Sequence, residues 1–238
     1  MINSKILATQ FMVVLLLCGC RDTPINEIPM YGEGLESPSI QKANQEFIDQ
    51  AVKTDGTREK ASKAASDRAW QYYYQKHDVS TAMKRFNQAW LLDTNNANAY
   101  WGFGIIVGQR AEHADTERNL RQSITFLETA CEKSPNNSRI MVDLAFSHTM
   151  LGAAVLKQHH RPGVDDEFAK AQALFESAMN LEPDYPLLHY NWSVLEFYRE
   201  DYSSAKTRLD EAVRLGFKPD PSYLKDLNRL KDRSNKSK

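Results

Sequence analysis

Seven apolar residues in succession, Phe11 to Leu17 (FMVVLLL), open the hydrophobic pattern of this chain. The run is too short to span a bilayer, and Lys5 and the amino terminus place positive charge before it, so residues 1–19 have the shape of a signal sequence. Residues 20–38 carry Pro24, Pro29, Pro38, Gly32 and Gly34 with few clustered apolar side chains, which predicts an extended, flexible tether. From Ser39, a suitable N-cap, Ile40, Ala43, Phe47 and Ala51 recur at helical spacing as far as Thr54-Asp55-Gly56. The polar face of this predicted helix (39–56) carries Gln41, Gln45, Glu46 and Asp49 and is not basic, which favours packing against the next segment over lying on a membrane. No later stretch reads as long and apolar enough to cross a bilayer.

Beyond residue 57 the pattern repeats. His77-Asp78-Val79-Ser80-Thr81-Ala82 has a counterpart in Glu200-Asp201-Tyr202-Ser203-Ser204-Ala205, and Phe86 and Ala89 correspond to Leu209 and Ala212. Two further copies lie between: Leu127, Ala130 and Pro135, then Ala171, Phe175, Ala178 and Pro183. Tyr100, Phe103 and Gly104 in one copy, and Leu144 and Ala145 in another, supply matching first halves. Small alanines let two antiparallel helices approach closely, and the large side chains fill the space beside them. Asp78 and Asp201 are placed to cap second helices, and Pro135 and Pro183 to end them.

This alternation of Ala, large apolar, Ala and Pro resembles the tetratricopeptide repeat over residues 63 to 219, about two-thirds of the chain. The resemblance implies an all-α, right-handed α-solenoid of about four helix pairs (63–96, 97–137, 138–185 and 186–219), since one pair cannot bury its apolar face alone. Equivalent large positions are 41 residues apart from Phe86 to Leu127, 48 to Phe175 and 34 to Leu209. The family period is about 34. The two middle repeats therefore carry added length, expected as extended hairpins with tips at 109–117 and 158–166 and with Asp165 capping the returning helix. Asp220-Pro221 starts a final amphipathic helix through Tyr223, Leu224, Leu227 and Leu230, which resembles the family's capping helix.

Composition narrows the function. A formal net charge of −1 carries no basic excess for nucleic acid, and the ten glycines form no phosphate-binding pattern. Three cysteines, two of them near the start, exclude a disulfide framework; Cys131 reads as a small buried hydrophobe. Leu17-Cys18-Gly19-Cys20 resembles the bacterial lipobox, with Cys18 a mild departure at the middle position. That resemblance implies cleavage before Cys20 and lipidation there. Two or three acyl chains anchor a protein stably, at about 0.8 kcal/mol per buried methylene. Arg21 does not match the Asp of the inner-membrane retention signal, so the outer membrane, on the periplasmic side, is the implied location.

Catalytic signals are weak, and neither enzyme activity nor a cofactor or metal is expected. His159 and His160 stand beside Arg161, Pro162, Asp165 and Asp166, but adjacent histidines lack the i, i+4 spacing of a zinc pair, and His148 lies eleven residues away. In the resembled family the first helices of each pair line a concave, partner-binding face. Transferred by alignment, that lining includes Asp67, Gln71 and Tyr74; Asn98, Trp101 and Ile105; Arg139, Val142 and Phe146; and Leu187, Tyr190, Val194 and Phe197. The family's carboxylate clamp needs Lys and Asn at set places. Here Asp67 and Asp143 replace cations, and only Arg139 and Asn191 match. The aromatic lining implies a hydrophobic peptide or helix as partner, although the same aromatics also suit packing between helices. The expectation is a lipid-anchored scaffold, with a toxin-neutralising immunity lipoprotein as the alternative.

Overall fold

Side-chain caps set most of the helix starts. The computed structural model describes residues 23–33, 37–111, 115–157 and 163–236. The predicted signal sequence, Cys20, and His159 and His160 of the predicted hairpin tip lie outside them. Among the described residues ten α-helices follow in order: α1 (Pro38–Asp55), α2 (Arg58–Tyr74), α3 (Val79–Leu92), α4 (Ala97–Arg110), α5 (Thr116–Lys133), α6 (Ser138–Lys157), α7 (Val164–Leu181), α8 (Pro186–Tyr198), α9 (Tyr202–Arg214) and α10 (Pro221–Lys236). No strand occurs among the described residues.

The predicted repeat symmetry extends to single hydrogen bonds. The turn between α2 and α3 passes through His77 at φ 52°, and that between α8 and α9 through Glu200 at φ 63°. The next residue then caps the returning helix: Asp78 accepts from the Thr81 N–H at 2.9 Å and Asp201 from the Ser204 N–H at 3.0 Å. Each capped end satisfies donors that a helix start leaves free, typically worth about 1 kcal/mol.

Antiparallel pairs α2–α3, α4–α5, α6–α7 and α8–α9 stack in series. Ala82, Ala171 and Ala205 are fully buried, as are Phe86, Phe175 and Leu209, with Leu127 nearly so. Each such large side chain contributes about 1.5–3 kcal/mol. Gly104 permits a close approach: a Cβ there would stand 2.5 Å from the Leu127 side chain. The first helices touch successively (α2 on α4, α4 on α6, α6 on α8), whereas the second helices make no comparable mutual contact. The layer whose members touch is the inner, tighter layer of a curved stack. The all-α solenoid of four helix pairs is thus what the repeats build.

Extra length enters the two middle repeats unequally. α6 and α7 are both long, at 20 and 18 residues, but in the second repeat only α5 (18 residues) is long, while α4 keeps 14. α6 also corrects one expectation, because its mean hydropathy of 1.3 over an 18-residue window would suit a membrane span. Its position explains the composition: it is packed among α5, α7 and α8, and apolar residues are needed on most of its circumference.

Three further expectations change. Ser37, not Ser39, caps α1, accepting from the Ile40 N–H at 3.3 Å, because Pro38 takes the first helical position. Asp165 does not cap α7; Gly163 occupies the cap, and Asp165, Asp166 and Glu167 sit in the first turn, where negative charge favours the helix dipole. The tether is not free throughout. Residues 25–33 form two short turns docked on α3, where the fully buried Asn87 donates from Nδ2 to the carbonyls of Asn26 (2.9 Å) and Ile28 (2.8 Å). Glu27 receives Ser80 Oγ at 2.8 Å and Lys84 Nζ at 3.0 Å, and these two bonds hold its carboxyl below the usual range. Met30 and Tyr31 take positive φ (53° and 58°), a conformation that costs roughly 1–2 kcal/mol per residue and is held here by the docking.

Candidate functional site on the inner face

The inner layer carries a chain of side-chain contacts across three repeats. On α2, Trp70 stacks on Tyr74 at 5.6 Å and meets the Trp101 ring of α4 edge-on at 4.7 Å. Its indole N–H donates to Asn98 Oδ1 at 3.2 Å. The Trp101 indole N–H in turn donates to Asp143 Oδ2 on α6 at 2.7 Å. Helical spacing explains the alignment. Trp70 and Tyr74 are four apart, as are Arg139 and Asp143, so each pair shares one helix face.

Asp143 is the unusual member. Burial pushes its carboxyl up to about 7, against the lowering effect of the Trp101 hydrogen bond. The group remains partly accessible to solvent. An i, i+4 neighbour such as Arg139 is a natural ion-pair partner, but Arg139 turns away. It bonds Glu182 at 3.0 Å and lays its guanidinium over the Tyr185 ring at 5.1 Å. Tyr185, at the start of α8, has its phenol pushed up to about 12 by burial and then by the Asp143 charge. Tyr74 is also held above its usual range, by burial first and by Asp143 second, with Tyr185 and Arg139 in electrostatic reach. Because Tyr74 is 58% exposed, its shift marks the proximity of these four groups more than a strongly altered acidity.

The sequence-predicted residues divide into two sets. Tyr74, Trp101 and Arg139 converge around Asp143. Phe146, half-buried, lies one turn further along α6. Tyr190, Asn191 and Phe197 do not join them, which corrects the expectation of one continuous aromatic lining. Tyr190 stacks on Phe217 at 4.3 Å and meets Tyr223 edge-on at 5.7 Å. Phe197 packs on Tyr223 at 5.5 Å and Tyr202 at 5.8 Å, and Asn191 is only 4% exposed. Tyr223 of α10 and Phe217 ahead of it thus pack on these rings, which are half-buried. Val142 and Val194 are likewise core residues. Trp70, Tyr185 and Glu182 were missed because they fall just off the transferred lining positions; the reversed charge at Asp143 was the available signal.

Two other places offer less. A cleft of about 560 Å³ on the outer side, lined by Gln172, Glu176, Trp192, Glu196 and Arg208 among others, is filled from within. There the Arg208 guanidinium covers the Trp192 ring at 3.6 Å, and the Trp192 N–H is bonded to Glu196 at 2.9 Å. Among the described residues no three His, Cys, Asp or Glu side chains gather as a metal would require, and His148 bonds Glu167 instead. Cys131, half-buried, has its thiol pushed up to about 11 by burial and then by Glu128 and Asp143, which disfavours the reactive thiolate.

No family model matches the chain, and no curated protein matches it. A solved structure described as "Functional Characterization of Pseudomonas Aeruginosa pilF" is similar over 68% of this chain and 79% of that one, at 15% identity and a TM-score of 0.33. A likeness of that size carries no argument about this chain, and the fold stands on its own helix pairs.

Proposed function

We propose that this chain is a non-catalytic, lipid-anchored scaffold of a bacterial envelope that holds a partner protein or peptide against its inner face. One observation carries the reading: Tyr74, 58% exposed, stacks on the half-buried Trp70, whose ring meets the half-buried Trp101 beside it on the inner layer. Aromatic side chains left accessible together favour association over solvation. Large aromatic anchors at the centre of interfaces typically contribute about 2 kcal/mol or more when a partner buries them.

Lipidation at Cys20 would set the orientation. Only residues 21–23 separate that cysteine from the docked segment beginning at Pro24, and an extended chain covers at most about 3.3–3.6 Å per residue, so roughly 11 Å in all. The face of α3 that receives the segment would then lie close to the bilayer. Outer-membrane residence follows only from Arg21 after the lipidated position.

The test uses a photo-crosslinking amino acid placed at Tyr74 or, as a control, at the exposed Thr125 of the outer α5 in intact cells. A discrete adduct from position 74 and none from position 125 is expected; the reverse pattern defeats the inner-face assignment. Cys20→Ser should abolish palmitate incorporation, and continued labelling would remove the anchor from the proposal.

A further inference from the structure

The inner-face cluster places one singly bonded carboxylate beside aromatic side chains. Its charged members are Asp143, Arg139 and Glu182, and Arg139 with Glu182 form a closed pair at 3.0 Å. The cluster therefore keeps one uncompensated negative charge when Asp143 is ionised. Among the described residues Asp143 has the Trp101 indole alone as a hydrogen-bond partner, and that bond engages a single oxygen, Oδ2. Trp101 touches this carboxylate through its N–H, and Tyr74 and Tyr185 lie within its electrostatic reach. Aromatic faces beside a carboxylate attract a cation twice over, through the ring quadrupole and through charge. Arg139 over Tyr185 shows the first interaction already realised at the edge of the cluster.

We infer that the inner face recognises a protein segment carrying a lysine or arginine side chain, whose cationic head is received by Asp143 between the rings of Trp101 and Tyr74. This assignment rests on the scaffold reading above and names the chemistry of its partner. It is opposite in sign to a clamp for carboxylates, which is why Asp143 stands where such a clamp needs a cation. The groups around Asp143 are Trp101 from α4, Cys131 from α5, Tyr74 from α2, Arg139 from α6 itself and Tyr185 ahead of α8. None of these except Asp143 titrates near neutrality, so cation capture should strengthen as pH rises through about 7.

The experiment selects a random dodecapeptide display library on the full lipidated chain in detergent micelles. Selected peptides should share a basic residue at a fixed position. The best of them, titrated with tryptophan fluorescence as readout, should lose tenfold or more in affinity when its lysine is replaced by norleucine. Asp143→Asn keeps an oxygen for the Trp101 N–H. It should erase the difference between the two peptides while leaving the helical circular dichroism unchanged. From pH 6 to pH 8 wild-type affinity for the lysine peptide should rise several-fold, with no such rise in Asp143→Asn or for the norleucine peptide. Selection of purely apolar or acidic peptides, failure to select any peptide, or an undiminished lysine preference in Asp143→Asn overturns the assignment. If position 74 still crosslinks a partner while the selected peptides lack basic residues, the cation assignment falls and the scaffold reading stands.

Discussion

The two ends of the inner layer put equivalent positions to opposite uses. Near the amino end, Tyr74 is 58% exposed and its neighbours Trp70 and Trp101 are joined through a polar network that reaches Asp143. Near the carboxyl end, Tyr190 and Phe197 are half-buried against Phe217 and Tyr223, and Ser193 forms a 2.6 Å hydrogen bond with the Tyr223 hydroxyl. An aromatic residue at a lining position is therefore core where another element covers it and surface where none does. Covered rings contribute to stability, and open ones are left for a partner.

The largest effect expected from this contrast is at the covered end. Tyr223→Ala removes a ring that touches both Tyr190 and Phe197 and leaves Ser193 only its bond to the Ala205 carbonyl, and should cost about 2–4 kcal/mol in urea unfolding. A loss under about 1 kcal/mol would mean that α10 rests on the solenoid without sealing it. Burial of Tyr223 pushes its phenol up to about 12, as expected of a ring inside the packing.

Asp143→Asn should act in the other direction. The folded carboxyl sits at about 7, above the ordinary value near 3.9 of an unfolded chain. The folded state then binds the proton more tightly, so wild-type stability falls as pH rises from about 4 to about 7. Replacing the group by a neutral amide should stabilise the chain by about 1–3 kcal/mol at pH 8 and change little at pH 4. Thermal melts of both proteins at the two pH values test this, and equal melting shifts at both would refute it. A stabilised variant that binds less well is the expected signature of a charge kept for function.

The smallest effect belongs to Tyr74→Ala. Its ring is mostly open, and a substitution there should stay within about 0.5 kcal/mol in stability. The variant's affinity for a peptide selected on the wild-type chain, read by tryptophan fluorescence, should nonetheless fall tenfold or more. A large destabilisation would place Tyr74 with Tyr223 and erase the distinction between the two ends.

Much of this architecture was legible because it is local. Asp78 and Asp201 cap helices through bonds to residues three positions on, and the alanine and large-apolar spacing of Ala82-Phe86-Ala89 and Ala205-Leu209-Ala212 specifies which faces meet. Repetition multiplied these short-range signals, so the helix pairs, the lengthened middle repeats and the final helix could all be read from residue types and intervals. Lining positions were legible only in part: Tyr74, Trp101 and Arg139 meet around Asp143, whereas Tyr190, Asn191 and Phe197 pack elsewhere.

What tertiary structure decided concerns who meets whom across large sequence distances. Whether Tyr190 is groove or core depends on Phe217 and Tyr223, which arrive from the turn beyond α9 and from α10. Whether residues 25–33 hang free or dock depends on Asn87, about sixty positions later, presenting its amide to two of their carbonyls. Arg139 could pair with Asp143 along its own helix, yet it pairs with Glu182, 43 positions away, and leaves the carboxylate to Trp101. Such choices depend on competing partners brought together only by stacking the repeats. A helix's own periodicity specifies the face a side chain shares, but not what will stand opposite it.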